Sequence, residues 1–146
     1  MLLLVLHAAA TWFMTGLIWL VQAVHYPLFS AVGEPGYAAY QAAHVRGISP
    51  IVMPAMLLEL GTALGLALQP PAGLPPASAW LGLALIGLIW IATALYSVPA
   101  HEALAAGFDA EAHQQLVSTN WIRTLAWSAR AGLVAWWLVL LTRGAP

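Results

Sequence analysis

The chain has 146 residues, of which 62% are hydrophobic and 6% charged. Soluble domains carry about 25% charged residues, so the composition excludes an ordinary soluble fold and points to an integral membrane protein. A net charge of −1 without lysine leaves no basic footprint for nucleic acid, and the lack of cysteine excludes disulfides, thiolate metal sites and thiol nucleophiles.

Four apolar runs, at about residues 2–27, 48–68, 79–98 and 121–141, each approach the roughly 20 residues that cross a bilayer. The expected fold is all-α: one transmembrane domain over 1–146, an integral membrane four-helix bundle. The first run has no basic leader and continues past "HAAAT" through Trp12, Trp19 and Val24, which reads as a retained helix and not a signal peptide. His7 and His25 on it are 18 residues apart, five whole turns and about 27 Å along the axis, with Thr11, Thr15 and Gln22 on or near the same stripe. Such a stripe suits a proton relay, a quinone cleft or a haem pocket; ordinary hydrogen bonding between helices would use it too.

The next connector, 29–47, holds "GYAAYQAAHV" after "GEPG", which reads as a short interfacial helix lying flat on the bilayer. Pro50 and Pro54 near the start of the second run are expected to kink it near Glu59, the one charge in "MPAMLLELGTALGLAL". Met53 and Met56 flank that kink, as core filling or as soft ligands to haem. Gly61 and Gly65 at GxxxG spacing offer a packing face for a larger membrane complex, and a homo-oligomer is a further expected partner. The link "QPPAGLPPAS" at 69–78 divides the chain into halves that echo each other: "GLIW" occurs at 16–19 and 87–90, and at the same offset Glu59 aligns with Arg130. A duplicated helical hairpin is the expectation. Equivalent depth then gives Glu59 a counter-charge in Arg130, with Thr62 and Trp127 nearby, and pairing offsets the roughly 2.5 to 3.5 kcal/mol that a charge costs at the bilayer centre. The pair either locks two helices together or belongs to a proton or substrate path.

On the third run Thr93, Ser97 and His101 share one face, with Tyr96 beside them. The second connector, 99–120, holds "DAEAHQQLV", a second interfacial helix with Asp109 as N-cap and Glu111 in its first turn. On the fourth run Asn120, Arg123, Trp127 and Arg130 form one ridge, where Arg123 is placed to hold a propionate, carboxylate or phosphate, a lipid headgroup included. Trp80, Trp121, Trp136 and Trp137 read as interfacial belts. His25, His44, His101 and His113 fall at one end of four separate elements, among Glu34, Glu102, Asp109 and Glu111, a set able to hold iron, copper or zinc although no pair has chelating spacing. Arg46 and Arg123 favour a cytoplasmic loop side, and Arg143 and the amino terminus the opposite; the loop side is assigned to the cytoplasm of a bacterial inner membrane.

"LHAAATWFMTGL" with its His7, followed by "IVMPAMLLELGTALGL", resembles the small membrane protoporphyrinogen oxidases that bind haem b in a four-helix bundle. The resemblance implies haem at His7 with Met53 to Met56 lining the pocket. "HEALAAGF" followed by "HQQLVSTNWIRT" is similar to anthrone-oxygenase-like membrane proteins and implies oxidation of an apolar substrate. The leading expectation is a membrane oxidoreductase acting on a lipophilic substrate or quinone. Its metal ligands would be His25, His44, His101 and His113; its haem or cofactor contacts His7, His25, Met53 and Trp127; its catalytic charges Glu59, Arg123 and Arg130. The alternatives are a small carrier built on Glu59 and Arg130, or a structural subunit of a membrane complex.

Overall fold

The computed structural model describes residues 1–143, and every regular element among them is helical. Helix α1, Leu2–Leu20, continues through a π turn, Val21–His25, and a 3₁₀ turn, Pro27–Ala31. Helix α2 is Glu34–Leu68. Helix α3, Pro76–Ala92, passes through a second π turn, Thr93–Ser97, into α4, Val98–Ala105. Helix α5 is Ala110–Arg143. The result is four rods, Leu2–Ala31, Glu34–Leu68, Pro76–Ala105 and Ala110–Arg143, each long and apolar enough to cross a membrane.

Both π turns stand just before a proline. Pro27 and Pro99 each stand two residues beyond a turn, and a proline ring collides with the carbonyl four residues back, here those of Ala23 and Leu95. Widening the ladder, as where the Tyr26 N–H reaches the Val21 carbonyl at 2.9 Å, carries the helix past the obstruction. Between α2 and α3, Gly73 at φ +88 supplies the left-handed residue that the proline-rich link needs.

The two expected interfacial helices are not separate elements. "GYAAYQAAHV" forms the first turns of the 35-residue α2, and the residues after Asp109 form those of the 34-residue α5. The polar composition of both segments suggested surface helices, but Tyr37, Ala112 and Leu116 are core residues packed with Phe29 and Leu104, which holds each segment in line with its helix. Nothing between 110 and 131 breaks α5, whose first glycine is Gly132.

The rods form a ring in the order α1, α2, α3, α5, with α1 facing α3 and α2 facing α5 across the axis. One core fills the end holding Tyr26, Phe29, Tyr37 and Leu104; a second fills the end holding Leu4, Leu66, Val134 and Trp137. Between them lies a polar layer.

Candidate functional site

Arg130 is the hub of that layer. Its Nε donates to Glu59 Oε1 at 3.0 Å, its Nη1 to the Gly82 carbonyl, and its Nη2 to His7 Nε2 at 3.0 Å and Thr11 Oγ1 at 3.5 Å. One side chain therefore bonds to all three other rods. Glu59 accepts two further bonds, from Thr11 Oγ1 at 2.7 Å and from Trp127 Nε1 at 2.9 Å. Arginine has donors only, so His7 Nε2 is an acceptor and the ring is neutral. Its proton sits on Nδ1 and goes to Thr62 Oγ1 at 2.8 Å, and Thr62 in turn donates to the Leu58 carbonyl at 2.7 Å. His7, Glu59 and Arg130 are only 0%, 2% and 1% exposed. Their good geometry and saturated partners are the conditions under which a buried ion pair withstands its desolvation cost. Both ring nitrogens of His7 are engaged within the layer, and Trp137 stacks on its ring at 5.9 Å.

The other end of the bundle gathers aromatic and imidazole rings around the fully buried Phe29, whose ring neighbours include His25, His44, His101 and His113. His25 Nε2 and His44 Nδ1 share a hydrogen bond at 2.9 Å, and His44 stacks on His101 with centroids 5.4 Å apart. His113 Nε2 donates to the Tyr26 carbonyl at 2.8 Å. Gln41 Nε2 lies 3.3 Å from the His101 carbonyl, which can only accept, so this is the amide's donor end and it also donates to His101 Nδ1 at 2.8 Å. His101 therefore carries its proton on Nε2 and gives it to the Tyr26 hydroxyl at 3.0 Å.

Between the polar layer and this cluster lies a cavity of about 160 Å³. Its walls are mostly apolar, among them Met14, Ile18, Val52 and Met56; its polar side is formed by Tyr26, His44, Ser97, His101 and Arg123. Ser49, Met53 and Val98 line it and are exposed, Met53 by 47%, so its rim lies on the flank of the bundle between α2 and the α3 to α4 rod. Arg123 is only 5% exposed. Its Nη1 donates to Ser97 Oγ at 3.1 Å and Asn120 Oδ1 at 3.0 Å, and its Cζ lies 5.3 Å from the centre of the Trp127 ring. Among the described residues Arg130 with Glu59 is the only ion pair, so Arg123 has no carboxylate, and its Nε has no partner at all.

The residues singled out in the sequence thus divide into two groups. His7, Glu59, Trp127 and Arg130 meet in the saturated polar layer, whereas His25, His44, His101 and His113 meet around Phe29. Arg123 and Met53 line the cavity between. Glu34, Glu102, Asp109 and Glu111 stay exposed and outside both groups, and among the described residues no three His, Cys, Asp or Glu side chains are placed to hold a metal ion. Tyr26 and Gln41 do not stand out in the sequence, because a tyrosine beside a histidine and a glutamine three residues before one are unremarkable in an amphipathic segment. Comparison with family models, curated proteins and solved structures returns no match for this chain.

Proposed function

We propose that the chain is a multi-pass membrane protein that takes a small lipophilic molecule sideways into this cavity and handles protons at its polar end through Tyr26, His44 and His101. One observation carries the reading: an apolar cavity whose rim lies on the flank of the bundle, with a phenol, two imidazoles and a guanidinium along one side. The four apolar rods support insertion, and on that reading the flank opening faces lipid. A phenol bonded to one imidazole, with a second imidazole stacked on the first, suits proton transfer to an oxygen of the bound molecule, a step that an oxidoreductase acting on a quinone or other lipophile requires. The π turns, which begin at Val21 and Thr93, recur at nearly the spacing of the "GLIW" pair and support duplication of a hairpin. Glu59 and Arg130 line neither this cavity nor the clefts lined by Trp121 and by Arg46, which favours their role as a lock over their role in a carrier.

The test uses a ring-sized photoreactive lipophile, trifluoromethyl-phenyldiazirine, on the detergent-purified chain. Met14 and Met56 are buried cavity residues and become labelled only if the probe enters; labelling confined to exposed flank residues refutes the reading.

A second reading rests on the 2.9 Å between His25 Nε2 and His44 Nδ1. Two imidazoles on one tetrahedral ion, each about 2.0 to 2.1 Å from it, stand about 3.3 Å apart, so a small parting of the rings would admit iron, copper or zinc, or present one ring to a haem iron. An iron, copper or haem centre beside the cavity would supply the redox chemistry of an oxidoreductase, whereas zinc would supply only Lewis acidity. Elemental analysis and an absorption spectrum of the purified chain, with His44→Ala as control, test it. A metal content or Soret band that His44→Ala leaves unchanged refutes this assignment.

A further inference from the structure

We infer that the molecule received by the cavity is a lipophilic acid, with one ionised oxygen group on a head no larger than a single ring and an apolar remainder that leaves past Ser49, Met53 and Val98. The inference rests on the cavity reading above and adds the charge and size of the occupant.

Charge is the first argument. Arg123 and Arg130 lie two turns apart on one face of α5, both buried, yet among the described residues only Arg130 has a carboxylate. Arginine does not shed its proton inside a protein, so the second charge persists, held by the neutral oxygens of Ser97 and Asn120, the nearby Tyr26 hydroxyl and the face of Trp127. A buried charge without a counter-charge is costly, and no acidic residue lines the cavity to supply one.

Hydrogen-bonding capacity is the second. The Arg123 Nε–H is unpartnered. Because Tyr26 accepts from His101 Nε2, its own O–H remains available to donate, and both residues line the same cavity. The free Tyr26 O–H beside an uncompensated cation calls for an occupant that accepts and carries negative charge, which a carboxylate does and an ester or a hydrocarbon does not. Size and apolarity complete the description. A cavity of roughly 150 Å³ holds one benzene, which matches the 160 Å³ here; a bare inorganic anion would satisfy Arg123 and leave the apolar wall of Met14, Ile18 and Met56 facing a void.

The test measures saturable binding of 4-butylbenzoate, its methyl ester and butylbenzene to the full chain in detergent, with Val52→Trp, which fills the cavity, as the blank. The wild-type protein is expected to bind the acid at least tenfold more tightly than the ester. Arg123→Gln should abolish that preference and Arg123→Lys should keep part of it. The wild-type comparison alone decides the matter if Arg123→Gln does not fold. Equal binding of acid and ester to the wild type would overturn the acid assignment and leave the cavity reading standing. If none of the three binds above the Val52→Trp blank, both fall together.

Discussion

Replacing Glu59 with glutamine is the sharpest probe of the polar layer, because the change is isosteric, removes the charge and puts an NH₂ donor where one acceptor oxygen stood. An amide placed to keep its oxygen toward Arg130 Nε and Thr11 Oγ1 turns its NH₂ toward Trp127 Nε1, so two donors meet where a bond of 2.9 Å stood. Arg130, 1% exposed, then keeps its charge with no counter-charge. Removing one partner of a buried pair costs about 3 to 5 kcal/mol, or roughly two to three and a half decades in the folding equilibrium at about 1.4 kcal/mol per decade. Reversible unfolding in detergent, followed by tryptophan fluorescence, should show a loss of that size for Glu59→Gln. The double variant Glu59→Leu with Arg130→Met should lose less than the sum of its single changes, by about 2 kcal/mol. A Glu59→Gln protein within about 1 kcal/mol of wild type, or strictly additive losses, would refute the account of Arg130 and Glu59 as a mutually dependent lock.

Local geometry fixes two further outcomes. A Cβ on Gly82 would sit 3.0 Å from Trp137 Cη2, whereas one on Gly87 meets nothing within 4 Å. Gly82→Ala should therefore lose about 1 to 3 kcal/mol by overpacking in the same unfolding assay, and Gly87→Ala should be neutral or gain up to about 1 kcal/mol from helix propensity; equal behaviour would contradict the close approach of α3 and α5. Asp109 Oδ1 accepts from the Ala112 N–H at 2.8 Å, so Asp109→Ala should cost about 0.5 to 2 kcal/mol and speed hydrogen exchange in the first turn of α5, with unchanged exchange counting against the cap.

The four rods are legible in the sequence from the lengths of its apolar runs, and the meeting of Glu59 with Arg130 because a lone carboxylate in an apolar helix needs a cation and the 71-residue repeat offset places Arg130 at its depth. The convergence of His25, His44, His101 and His113 comes from their positions at matching ends of the apolar runs. Other features hide from that kind of reading. The role of Arg123 depends on which acids fail to reach it, a property of three-dimensional absence that spacing does not encode. Tyr26 and His101 become partners only because the π turns before Pro27 and Pro99 alter the phase of both rods, so a strict 3.6-residue count misplaces every side chain beyond each turn. The polar stretches after Gly36 and Asp109 look like surface helices because composition records what a segment exposes on average, not that Tyr37 and Leu116 bury one face of it.

The bonds of Arg130 also bear on the order in which the protein is made. His7, Thr11, Glu59 and the Gly82 carbonyl all precede it in the chain, so a ribosome completes three rods before the residue that satisfies them emerges. Until then an apolar three-rod assembly holds a carboxylate with no counter-charge and a carbonyl with no donor, and its helices have reason to stay loosely associated. The last helix therefore acts as a checkpoint: a chain terminated before Arg130 should be a substrate for quality-control proteolysis rather than a smaller version of the same bundle.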